Sequence, residues 1–98
     1  MKPITKTAAI KAARKSVYVA PRGKGYVVVG PYRDNDIDGP ITESPATDWW
    51  DAKRKRTEWC ARVALTLMGW DNIEAYSMSY DQEGNVDEIV NRALMARD

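Results

Sequence analysis

The sequence has no histidine and no phenylalanine, a single cysteine, and no acidic residue in its first 33 positions. Without histidine the usual general base near neutral pH is missing, as is the commonest transition-metal ligand, so no histidine-based catalytic triad exists here. The lone Cys60 excludes an intramolecular disulfide scaffold, and the chain falls short of the roughly four Cys or His ligands that a structural zinc site requires. That cysteine usage fits a reducing, cytosolic location. No run approaches the roughly 18 to 20 apolar residues of a membrane span, and no apolar stretch of signal-peptide type follows Lys2. A soluble, cytoplasmic protein with no membrane partner is expected. At 98 residues and 44% hydrophobic content, residues 1–98 are expected to form one domain around one core.

What is present is sharply sorted by charge. Lys2, Lys6, Lys11, Arg14, Lys15, Arg22, Lys24 and Arg33 stand in the first third without one Asp or Glu. Asp34, Asp36, Asp38, Glu43, Asp48 and Asp51 then follow without one Lys or Arg among residues 34–51. The net charge of +1 thus conceals two segments of opposite sign, an arrangement that bears on partners and association rates more than on fold.

The pattern predicts an α+β fold, a small antiparallel sheet packed by helices in the order α-β-β-α-β-α. Thr5 to Ser16 reads as a helix with Ala8, Ala9, Ala12 and Ala13 as a close-packing face and Lys11, Arg14 and Lys15 as a cationic stripe. Val17 to Ala20 and Tyr26 to Val29 flank a turn bearing Gly23 and Gly25, the composition of a β-hairpin. With a symmetric turn, its alternation puts Val17, Val19, Tyr26 and Val28 on one face and Tyr18, Val27 and Val29 on the other. Residues 30–46, rich in proline and acid and without apolar periodicity, read as a long exposed loop. Thr47 or Asp48 caps a second helix that runs to about Met68 and stops at Gly69, with Trp59, Val63 and Leu67 as its inner stripe. Alternation over Ile73 to Tyr80 predicts a third strand. Asn85 caps a last helix whose Val86, Ile89, Val90, Ala93 and Leu94 share one face.

No catalytic set emerges and no cofactor is implied. Cys60 lies amid Trp59, Ala61 and Ala64, where a buried, inert thiol is the ordinary outcome. The chain is read as no enzyme. The candidate binding residues are cations with interleaved aromatics: Lys11, Arg14, Lys15, Arg22, Lys24, Tyr26, Tyr32, Arg33, and the run Lys53, Arg54, Lys55 and Arg56. Cations that neutralise phosphates beside rings that stack on bases would suit a small DNA- or RNA-binding protein. All four tryptophans fall between Trp49 and Trp70. Trp49 and Trp50 lie about 100° apart on a helix, so one of them is expected to be partly exposed, in the manner of a binding hot spot. The acidic residues Asp34, Asp36, Asp38 and Glu43 partly match a calcium loop. The bidentate glutamate due at its last position is replaced by Pro45, which makes a calcium-ordered module a minor alternative and the expected metal none.

In size, charge segregation and lack of a catalytic set, with Tyr26 to Tyr32 and the Trp49 to Trp70 stretch as distinctive segments, the chain resembles small phage or mobile-element accessory proteins. Anti-CRISPR proteins and inhibitors of host nucleases are the familiar examples. The resemblance implies a non-enzymatic inhibitor or adaptor that binds a host protein or nucleoprotein complex of bacterial defence or recombination.

Overall fold

The computed structural model describes residues 4–69 and 85–97. Its elements are α1 (Lys6–Ser16), β1 (Tyr18–Arg22), β2 (Gly25–Pro31), β3 (Ile41–Ala46), α2 (Trp49–Leu67) and α3 (Val86–Arg97). The strands form one antiparallel sheet with β2 in the middle, so the class is α+β, as the pattern predicts. The described order is α-β-β-β-α-α. The strand expected over Ile73 to Tyr80 lies outside the described residues.

The sheet's third strand is β3, and it corrects the reading of 30–46 as one loop. Ile-Thr-Glu-Ser-Pro-Ala has little strand propensity of its own. The Val27 to Val29 run of β2 is apolar on both faces and leaves an open ladder on each edge, and β3 completes one of them from Tyr26 paired with Ala46 to Pro31 paired with Ile41. The true loop is residues 32–40, closed by the Tyr32 N–H donating to the Pro40 carbonyl at 2.8 Å.

The hairpin of β1 and β2 has the expected faces, with Tyr18 opposite Val29 and Val19 opposite Val28. Gly23 at its turn has φ +58°, a conformation that glycine adopts without a Cβ penalty. The inner face carries Val19, Tyr26, Val28, Gly30, Thr42, Ser44 and Ala46, of which Val28 and Ala46 join the core. On the outer face, Arg22 and Glu43 make a bidentate ion pair that reaches from β1 to β3 across β2. Each edge strand contains a proline, Pro21 in β1 and Pro45 in β3. The Pro45 carbonyl accepts from Lys55 Nζ at 2.6 Å.

Helix α1 starts at Thr5, whose hydroxyl accepts from the Ala8 N–H, and buries Ala9, Ile10 and Ala13. The buried stripe is thus shifted from the expected alanine face. Ala8 is exposed, and α1 packs chiefly on α2, where Ala61 and Ala64 are buried. Arg56 of α2 is half-buried. Its guanidinium donates to the Val17 carbonyl at 3.1 Å and the Arg14 carbonyl at 3.4 Å, supplying partners and positive charge at the C-terminal end of α1. In α3 the Asn85 side chain accepts from the Glu88 N–H, and Val86, Ile89, Val90 and Ala93 are buried, as their spacing predicts.

Helix α2 crosses the sheet at Gly30, where a Cβ would stand 2.8 Å from the Trp59 ring. Real Cβ atoms do not approach that closely, so the indole lies where only glycine leaves room. Gly30→Ala is expected to destabilise the fold by about 1–3 kcal/mol, the usual cost of overpacking, read as a lower urea midpoint with unchanged slope.

Candidate interaction surface at the start of α2

The first turn of α2 projects beyond the core, because Ala52 is its first fully buried residue. Trp49 and Trp50 precede it and are 50% and 62% exposed. The sequence predicts one exposed tryptophan here; the structure shows two. Each is held from the side. Trp49 meets Tyr26 edge-on, with ring centroids 5.7 Å apart and planes at 65°. Lys53 Nζ sits 5.6 Å from the centre of the Trp50 ring, within cation–π reach.

The backbone beneath the two rings is fixed by reciprocal capping. The Asp48 carboxylate accepts from the Asp51 N–H at 2.8 Å, and the Asp51 carboxylate accepts from the Thr47 N–H at 3.1 Å. Arg54 and Lys55 converge on the same Asp51 carboxylate at 2.9 and 3.4 Å. The Thr47 hydrogen bond foremost, and then those two cations, hold the Asp51 carboxyl below the usual carboxylate range against the opposing effect of burial. The hairpin turn abuts this junction, since a Cβ on Gly25 would stand 3.0 Å from the Ala46 carbonyl oxygen. Tyr26, Trp49 and Trp50 therefore form an aromatic ridge flanked by Lys53 and by the turn that carries Lys24.

The other candidate cations are dispersed, and several are consumed within the fold. Arg14 pairs with Asp87 at 3.0 Å, Arg22 with Glu43, and Arg54 with Asp51, while Arg56 is spent on carbonyls. Lys11 and Lys15 stand exposed on α1, lining a groove with Ile37 and Asp38. Tyr32 and Arg33 are exposed at the far end of β2. The structure thus brings Tyr26, Trp49, Trp50 and Lys53 together, and does not gather Lys11, Arg14, Lys15, Arg22 and Arg33 with them.

The acidic residues of this stretch are divided between the loop and β3. Asp34 accepts from Arg62 at 3.2 Å, and Glu43 faces outward from β3 onto Arg22. Among the described residues no three acidic, Cys or His side chains come together at metal-binding distance. Strand pairing turns Glu43 away from the loop that holds Asp36 and Asp38. Cys60 is fully buried with its Sγ 3.7 Å from the Ala13 carbonyl oxygen, and that burial pushes the thiol up from its ordinary pKa, which keeps it protonated at neutral pH.

Sequence reasoning passed over Glu58 and Arg62. With Lys55 and Trp59 they fall at i, i+3, i+4 and i+7 along α2, a spacing that marks one face, and Thr42 and Ser44 escaped notice because their strand was read as loop.

A carboxyl with a depressed pKa in the folded state contributes stability above its unfolded pKa of about 3.9 and loses it as pH falls through the folded value. Asp51→Asn is therefore expected to be less stable than the parent chain near neutrality, and to lose less stability between about pH 5 and pH 2, in urea titrations at a series of pH values.

Compared with known proteins, the chain matches no family model, no curated protein and no solved structure, so its functional reading rests on the chemistry of this surface.

Proposed function

We propose that this chain is a non-enzymatic binding module of the inhibitor or adaptor kind, which docks on a bacterial nucleic-acid-handling complex through the ridge of Tyr26, Trp49 and Trp50. The carrying observation is that two consecutive tryptophans are each at least half exposed while their backbone and flanks are pinned. Burying two such rings releases a large apolar area, and because the side chains are already braced, little conformational entropy is lost on docking. Tryptophan is among the side chains that dominate binding energy at protein interfaces. The buried, protonated Cys60 supports a role without catalysis. The resemblance to phage accessory proteins supports the choice of target, as do the exposed lysines of α1, which favour approach to a negatively charged assembly.

A second reading, direct binding of DNA or RNA, is favoured by one observation: Lys11 and Lys15 lie four residues apart on α1 with no acidic partner. Phosphate contacts weaken steeply with salt, whereas a tryptophan-anchored interface does not.

The deciding experiment captures partners of the tagged chain from bacterial lysate, with and without nuclease, at low and physiological salt. A defined protein complex that survives both treatments is expected. Trp50→Ala should weaken its retention by roughly 30-fold, about 2 kcal/mol, while changing stability by less than about 0.5 kcal/mol. Loss of all retained material on nuclease treatment would transfer the function to nucleic-acid binding through α1.

A further inference from the structure

The side chains along the aromatic ridge end in hydrogen-bond donors, and these donors have no acceptor within the chain. The exposed Trp49 and Trp50 indoles and the Tyr26 hydroxyl make no hydrogen bond, and Lys24 and Lys53 stand without an ion pair. The carboxylates at the foot of the ridge are already engaged. Asp48 accepts from the Asp51 N–H, and Asp51 accepts from the Thr47 N–H and holds Arg54 and Lys55. An indole or an ammonium group donates and cannot accept, so what the ridge is short of is acceptors.

The order of these groups is set by the fold. Lys53 Nζ stands 5.6 Å from the Trp50 ring, Trp50 adjoins Trp49 on the first turn of α2, the Trp49 and Tyr26 rings meet at 5.7 Å, and Lys24 precedes Tyr26 in the hairpin turn. The sequence of groups along the ridge is thus a cation, the rings, and a second cation.

We propose that the occupant of this ridge is an acidic protein segment in which apolar side chains are flanked by carboxylates. The proposal rests on the ridge being the docking surface, and it names the chemistry of what lies against it. A carboxylate accepts and does not donate, so carboxylates on either side of the segment answer the lysines at the two ends while its apolar residues cover the rings between them. A basic segment would meet like charge at each end. A nucleic-acid strand is matched less well, because its phosphates recur at every nucleotide and call for a continuous line of cations. Here the free lysines stand only at the ends of the ridge, and Lys11 and Lys15 belong to another element.

The test is a titration of the full ¹⁵N-labelled chain with a short peptide of leucines flanked by glutamates, with its glutamine and lysine counterparts, and with an oligothymidylate of matching length. It is followed at the Trp49 and Trp50 indole resonances, each assigned by replacement with phenylalanine. At low salt the glutamate peptide is expected to move both resonances and to bind about fivefold or more tightly than the glutamine peptide. Added salt should shrink that margin, and Lys24→Gln combined with Lys53→Gln should remove it with an unchanged melting temperature. Equal affinity for the glutamate and glutamine peptides, or a margin that survives in the double variant, overturns the acidic segment and leaves the ridge as a docking surface. Tighter binding of the oligothymidylate at these resonances overturns it in favour of nucleic acid. If no peptide moves either resonance up to about 10 mM, the ridge and its occupant are overturned together.

Discussion

The flat approach of Trp59 to Gly30 governs the architecture, because α2 touches every other described element: α1, α3 and all three strands. Where the indole meets the strand sets the height of α2 above the sheet. On one side of the contact Cys60, Val63 and Ala64 close a core with α1. On the other, the same height leaves Thr42 and Ser44 uncovered. The closed core and the uncovered strand residues are two results of one side-chain placement. The indole N–H carries the cost of it, since the ring position that fills the core leaves that donor without an acceptor.

Charge segregation along the chain is partly undone by folding. Arg22 meets Glu43, Arg14 meets Asp87, and Asp34 of the acidic stretch is taken by Arg62 of α2. These pairs are exposed or half-exposed, so each contributes little to stability, in the range of about 0–1 kcal/mol. Their larger effect is on what remains. Among the described residues, the lysines of α1, Lys24, Arg33 and Lys53 are left without an ion pair. A dipole read from residue order is therefore sharper than the one the folded molecule presents to a partner.

Much of the fold was legible in the residues. The hairpin register, the Asp48 start and Gly69 end of α2, and the Asn85 cap with its apolar stripe all follow from local signals: β-branched runs, capping side chains and 3.6-residue periodicity. β3 was not legible because its stability comes from the open ladder of β2 and not from its own sequence. The role of Arg56 was hidden for a related reason, as its partners are backbone carbonyls of a segment 39 and 42 residues away. Of the candidate surface, the tryptophan pair was visible as composition. The Tyr26 brace on Trp49 needed the hairpin to be laid beside α2.

The prolines in both edge strands have a consequence for how this molecule changes over time. With Pro21 and Pro45 interrupting the outer ladders and Lys55 occupying the Pro45 carbonyl, main-chain pairing with another strand is obstructed on either side. On the docking proposed above, recognition is then read by side chains alone. A binder that adds a strand tolerates drift in its target, since backbone groups are common to all sequences; one that reads side chains must answer each change in a partner with a substitution of its own. On that proposal the surface positions are where rapid divergence is to be sought, around a sheet that stays as it is.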